Sequence, residues 1–325
     1  MTTSSSIAKI PSGGGRIALS THGGKAWFSE LSATYPLKLL SPRISDDVAI
    51  VYALTYGGGL VAGDCIHLSV KVECGAKLVL LSQGSTKVFK TRLQQRLSSV
   101  QRSLDDTPMG TPSQSQITLQ KMDFTISSNG ALFLLPDPVT CFRSASYNQI
   151  QTFHIAKDTS LVLLDWVTSG RKSLGETWVF SRYYSVNEVV VEGKRIAKDV
   201  MLLEDDASES SLSRRLAEKL DPFSCYATLI LRGSLVEKTI ASLTARYQNI
   251  SVMQQRIVED ILWSISPIGS DNDGVVIRVA GKETEDVKCW LSEALSPLED
   301  IVGVDVYRMA FHLSYRLCMR ANSEN

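Results

Sequence analysis

The sequence lacks most features that announce a function by themselves. Lysine and arginine number 34 and so do aspartate and glutamate, in 325 residues. No net field therefore draws the chain to nucleic acid or to an anionic membrane. No apolar run approaches the roughly 18 residues that suggest a membrane span, and the opening MTTSSSIAKI has no apolar signal-peptide core. The six cysteines, at 65, 74, 141, 225, 289 and 318, are scattered without a Cys-x-x-Cys pair, which points to free thiols in a reducing compartment. The four histidines, at 22, 67, 154 and 312, form no His-x-x-x-His pair, and no Gly-x-Ser-x-Gly elbow occurs. Zinc-hydrolase and serine-nucleophile motifs are thus missing. These absences lead to the expectation of a soluble cytoplasmic protein without nucleic-acid or membrane partners.

The residues that are present centre on Tyr56-Gly57-Gly58-Gly59-Leu60-Val61-Ala62-Gly63-Asp64. Four glycines in seven residues are expensive in backbone entropy unless the chain needs positive φ or close approach of another backbone. Gly58 and Gly63 have the spacing of a phosphate-binding loop, but the next residue is Asp64 instead of lysine. The segment after Asp64 does not suit such a loop either. Ile66, Leu68, Val70 and Val72 alternate with His67, Ser69, Lys71 and Glu73, the period of a half-buried strand and not of a helix with free N–H groups.

Further strands are expected over 48–54, 78–81, 117–126, 131–135, 153–155, 161–167, 226–231 and 275–279, with Thr86 to Thr91 extending the one at 78–81 outward. Trp178, Phe180, Tyr184 and Val186 alternate as another, and a hairpin is centred on Gly193. Helical spacing appears only late, in Leu212, Leu216 and Leu220, in 235–247, and in Val287, Trp290, Leu291 and Leu295. The expected fold is mainly β, with stacked sheets of β-helix or sandwich type and two or three α-helices packed in the C-terminal third. Residues 1–15 read as a flexible N-terminus and 16–325 as a single domain. Its one break is a polar insertion at 94–116, with a few helical turns over 93–104.

Cys65 and His67 share the polar face of a strand, offering a soft sulfur and an imidazole to a nickel-like ion. An ordinary half-exposed strand face accounts for the same pair, and two ligands fall short of a closed site. Asp64 and Glu176 each follow a glycine, and Arg171 precedes Glu176 by five. They could frame a polar opening for a hydrated divalent cation, or could simply accept hydrogen bonds within their loops, with Arg171 paired to one of them. These readings are compatible.

The blocks Gly-Gly-Gly-Leu-Val-Ala-Gly-Asp, then Leu80 to Lys90, Leu135-Pro136-Asp137-Pro138 before Cys141-Phe142-Arg143, and Gly170-Arg171…Gly175-Glu176 occur in this order. Together they resemble the urease accessory proteins of the UreD (UreH) type, with ordered matches from about Tyr35 to Leu203 and a weaker echo in Val275 to Arg316. The resemblance implies a non-catalytic assembly factor that binds apo-urease together with a UreF-type protein and a UreG-type GTPase. Ni2+ would be in transit and not tightly held, and GTP would be bound by the UreG-type partner. It gives motif status to Gly57, Gly58, Gly59, Gly63, Asp64, Gly170, Arg171, Gly175 and Glu176, and leaves Asp64, Cys65, His67 and Glu176 as candidates for a transient metal path. Two readings compete with it: a small β-rich hydrolase using an acidic residue, and a protein-binding module unrelated to nickel.

Overall fold

A computed structural model of the chain describes residues 9–90, 117–204, 215–250, 260–269 and 274–311. The insertion at 94–116, the helical turns at 93–104, Leu212 and His312 lie outside them. Order starts earlier than expected, because β1 (Gly14–His22) already pairs along β6 (Cys65–Val72), with Gly14 beside His67. Gly13 lies so close to that strand that a Cβ there would sit 1.9 Å from the Cys65 carbonyl oxygen. The glycines read as a loose end are thus needed for close packing.

The first sheet runs β15 (Lys194–Glu204), β14 (Arg182–Val191), β12 (Ser146–Ile155), β9 (Thr118–Ile126), β6, β1 and β2 (Lys25–Ala33). The second runs β17 (Ile261–Ile268), β18 (Gly274–Gly281), β16 (Cys225–Arg232), β13 (Ser160–Thr168), β10 (Ala131–Leu134), β7 (Lys77–Leu81), β5 (Val48–Thr55) and β3 (Leu37–Leu40). Strand β4 (Ile44–Ser45) hangs on β5, while the short β8 (Thr86–Val88) and β11 (Val139–Cys141) pair with each other, and β11 also with β13. In the middle the chain passes from one sheet to the other and back, so β6, β9, β12 and β14 are parallel neighbours and so are β5, β7, β10 and β13. The result is a coil of stacked turns whose third, narrow side is made by β8 and β11.

Each sheet position follows from its side chains. The alternation of β6 puts Ile66, Leu68, Val70 and Val72 inside and leaves Cys65, His67, Ser69 and Lys71 outside. Phe124 of β9 and Phe153 of β12 pair in register and stack with centroids 4.5 Å apart. Strand β13 is buried along its whole length, because its inner face meets the first sheet and its outer face meets helices, as expected for a central parallel strand. Those helices are α2 (Glu237–Gln248) and α3 (Thr284–Ala294), with the short α4 (Glu299–Val302) and α5 (Val304–Ala310) beyond them. A single turn, α1 (Leu216–Leu220), precedes β16.

Two local expectations change. Residues Trp178 and Phe180 do not extend β14, which starts at Arg182; Trp178 has φ +54 in a buried loop, and its indole N–H donates to the Phe223 carbonyl at 3.0 Å. Residues 86–88 do not prolong β7 but turn onto the narrow side, where Val88 faces Cys141.

Candidate functional site

The glycine turn sits on the narrow side of the coil. Gly57 and Gly58 have φ of +75 and +76 with open space around them, so backbone conformation alone demands glycine there. Gly59 is extended, with φ 167, and its contribution is room. A Cβ at this position would lie 2.6 Å from the Lys87 carbonyl oxygen and 2.7 Å from the Phe89 ring. Strand β8 fits into that space, as the Leu60 N–H donates to Lys87 O at 2.8 Å and the Phe89 N–H to Leu60 O at 2.9 Å. Gly63, at φ +83, then returns the chain to β6. Asp64 closes this last turn: its carboxylate accepts from the Val61 N–H at 2.8 Å, and its own N–H donates to Val61 O at 3.0 Å. Burial raises the Asp64 pKa, and the Val61 hydrogen bond opposes the rise.

The second block lies on the same side. Gly170 has φ +125, and a Cβ on it would meet Glu176 O at 3.0 Å and Cys141 O at 3.4 Å. Gly175 caps a short turn in the left-handed conformation. Glu176 is only 5% exposed. Its carboxylate takes Arg171 Nε at 2.8 Å and Nη2 at 2.6 Å, with the Arg143 N–H at 3.4 Å and Arg143 Nε at 3.8 Å. The Arg171 hydrogen bonds hold the Glu176 carboxyl below its ordinary value. The Arg171 guanidinium also lies 4.1 Å from the centre of the Phe142 ring, and Phe142 meets Phe89 edge-on at 5.2 Å. The two glycine blocks are therefore joined by one line of contacts, from Gly59 through Phe89, Phe142 and Arg171 to Glu176.

Strands β8 and β11 pair between the loops that carry Asp64 and Glu176. Asp64 is engaged by its own turn, and Glu176 by Arg171 of its loop and by Arg143 after β11. Cys65 and His67 are brought together, Sγ to Nε2 at 3.4 Å, on the exposed outer face of β6. Burial, and then the charge of Asp64, raise the Cys65 thiol pKa. Among the described residues no group of three or more His, Cys, Asp or Glu side chains is placed to hold a metal.

A feature not read from the sequence lies between the sheets. Near the glycine turn the inward rows become polar, with Gln120, Gln149 and Ser185 in one row and Gln151 and Asn187 in the next. They surround Asp165 of β13, whose carboxylate accepts from Ser185 Oγ at 2.6 Å, Asn187 Nδ2 at 2.8 Å, Gln149 Nε2 at 2.9 Å and Tyr183 OH at 3.3 Å. Tyr147 OH lies 3.0 Å from both Gln120 Oε1 and Gln149 Oε1. The amide oxygens of Gln151 and Asn187 are buried without a hydrogen-bond partner among the described residues. A cavity of about 100 Å³ lined by Gly58, Ser85, Thr86, Ile66, Gln120 and Met122 connects this polar row to the glycine turn. Burial raises the Asp165 pKa against the opposing hydrogen bonds.

The profile of the family described as "UreD urease accessory protein" matches residues 12–310, spanning both glycine blocks, the polar interior and α3. The chain belongs to the UreD family. "Urease accessory protein 4" of Cryptococcus neoformans is 36% identical over 304 residues, covering 89% of this chain and 91% of that protein. "Urease accessory protein D" of Arabidopsis thaliana is 31% identical over 316 residues, 90% of this chain and 99% of that protein. "Urease accessory protein UreD" of the bacterium Sorangium cellulosum is 31% identical over 295 residues, 91% of this chain and 83% of that protein. Membership of the UreD family assigns the chain a role in urease maturation. The resemblance carried by the ordered sequence blocks is borne out.

Proposed function

We propose that this chain is a non-catalytic scaffold of urease maturation: it binds apo-urease together with UreF-type and UreG-type proteins and supports delivery of Ni2+, while the UreG-type partner binds GTP. The observation that supports the reading is the match over residues 12–310 to a family whose members are named urease accessory proteins. The geometry agrees with it. Both motif acids are consumed in fixing loops, which suits a rigid platform better than acid–base chemistry. For the ion, weak and scattered donors are needed, since a full chelating set would bind too tightly to release. The Cys65–His67 pair provides such a landing point outside, and the amide and hydroxyl row between Gln120 and Asp165 provides a polar interior that an ion could cross.

The test is urease activation in cells that carry the urease subunits and the other accessory proteins, with and without this chain. Nickel content and activity of the purified urease are measured together. Full nickel loading without the chain would sink the proposal. Turnover of a small substrate by the purified chain alone would favour the hydrolase reading.

A further inference from the structure

We propose that the narrow side of the coil is a docking surface for an acidic surface of a partner protein, which deepens, and rests on, the scaffold reading above. The argument begins with charge. Across the whole chain the two signs balance at 34 each. The narrow side, made by the glycine turn, β8, β11 with Phe142 and Arg143, and the Gly170–Glu176 loop, departs from that balance. It carries Lys87, Lys90, Arg143, Arg171 and Lys172 against the three carboxylates Asp64, Asp137 and Glu176. Asp64 is turned onto the Val61 N–H, Glu176 onto Arg171, and Asp137 onto the Gly84 N–H at 2.9 Å, 3.9 Å from Lys288. Lys172 is met by Glu283 at 2.5 Å. Lys87 and Lys90 are exposed and have no ion-pair partner among the described residues, and the Arg143 side chain, 58% exposed with Nε 3.8 Å from Glu176, shares that single carboxylate with Arg171. Lys87, Lys90 and the shared Arg143 therefore leave an excess of positive charge where the two family blocks meet.

The second argument is rigidity. Arg171 stands on the line from Gly59 through Phe89 and Phe142, which is fixed by backbone close approach, an edge-on ring pair and a cation over a ring, and Lys87, Lys90 and Arg143 branch from the backbone beside it. That backbone keeps the attachment points of this charged plate in place, so binding has only the side chains themselves to order. The third argument selects the class of partner. Large apolar side chains flank the plate on both sides, Val61 and Tyr56 at the glycine turn (42% and 49% exposed) and Leu174 in the other loop (63% exposed). Cations beside exposed aliphatic and aromatic groups fit a protein interface, with its apolar centre and polar rim. A phosphate backbone would call for more cations and fewer such groups.

The test uses the full chain, the triple variant Lys87→Glu, Lys90→Glu, Arg143→Glu, and a control carrying Lys71→Glu, Lys194→Glu and Lys198→Glu at exposed positions on the first sheet. Affinity for purified apo-urease, the UreF-type protein and the UreG-type protein, singly and combined, is measured at low and high salt. A probe DNA duplex and self-association are measured in parallel. The plate variant should lose about tenfold or more in affinity for at least one protein, and lose most of the salt dependence of that affinity. The control should bind as wild type, and circular dichroism should show all three folded. Wild-type affinity in the plate variant would overturn the docking surface while leaving the scaffold reading intact. Binding of none of the three proteins by the wild-type chain would overturn both. Loss confined to DNA binding or to self-association would overturn the partner class.

Discussion

Arg171 grips Glu176 through one guanidinium edge, Nε donating to Oε2 at 2.8 Å and Nη2 to Oε1 at 2.6 Å, while its flat face rests on Phe142. A planar fork on a planar acceptor is the strong form of ion pair, and lysine cannot reproduce it. The pair joins the second glycine block to β11 and so fixes the edge of the platform.

The pH dependence of this pair has a definite sign. Glu176 has its pKa lowered from 4.5, first by the Arg171 hydrogen bonds. A carboxyl depressed on folding contributes stability above its unfolded pKa and loses it as pH falls through the folded value. Urea midpoints measured downward from roughly pH 6 should therefore fall more steeply for wild type than for Arg171→Ala. Parallel curves would show that the pair adds nothing.

Asp165 should behave in the opposite sense. Burial raises its pKa from 3.8, so the folded state holds the proton more tightly, and this contribution grows as pH falls through the folded value and levels off below the unfolded one. Asp165→Asn should remove that component and keep the fold. Asp165→Leu would strand the four donors of Gln149, Tyr183, Ser185 and Asn187, at about 1–3 kcal/mol for each buried group left unmet. Its expected outcome is loss of soluble protein; a stable, fully soluble leucine variant would count against the network.

Neighbouring glycines should separate two reasons for glycine. Gly57→Ala meets open space but must hold φ +75, at roughly 1 kcal/mol. Gly59→Ala has an ordinary extended φ, but its methyl group would press on Lys87 O and the Phe89 ring, and overpacking of this kind costs about 1–3 kcal/mol or more. Thermal unfolding should rank Gly59→Ala as the more damaging. It should also show the gap narrowing when Phe89 is replaced by Leu.

How much of this was legible in the sequence depended on which face a residue took. Strand β6 was readable because apolar and polar residues alternate without a break, and α3 because Val287, Trp290 and Leu291 recur at helical spacing on its buried side, with Leu295, read with them, one residue past its end. The polar interior was not, because Gln149 and Gln151 occupy inward positions of β12 that alternation assigns to apolar residues. Only the stacking of turns shows that Gln149 meets Asp165, with Gln151 in the next inward row. Strand β17 was missed although Ile261, Trp263 and Ile265 alternate with Leu262, Ser264 and Ser266: it is an edge strand whose inward residues are only half-buried, and an exposed Leu262 and a Pro267 blur the pattern. The separation of Asp64 from Glu176 was equally hidden. Both follow glycines, but which chain passes lie between their loops is a property of the coil, not of local pattern.

The last prediction concerns the Cys65–His67 pair. Two donors at 3.4 Å on a rigid strand, with Gly14 opposite His67 on the neighbouring strand, can approach one soft divalent ion from the same side. Two protein ligands leave the remaining positions to water or to a partner, so binding should be weak and reversible. Adding Ni2+ to the purified chain should produce a thiolate-to-metal charge-transfer band that is lost on gel filtration. The thiol pKa is raised above its ordinary 9.0 by burial and by Asp64, and the metal must displace that proton, so apparent affinity should climb as pH rises. Cys65→Ser should abolish the band, and His67→Ala should weaken it. Asp64→Asn should make the thiolate easier to form and shift the affinity curve to lower pH. An unchanged band in Cys65→Ser would place any nickel on other residues and remove this strand face from the proposed scaffold's contacts with the ion.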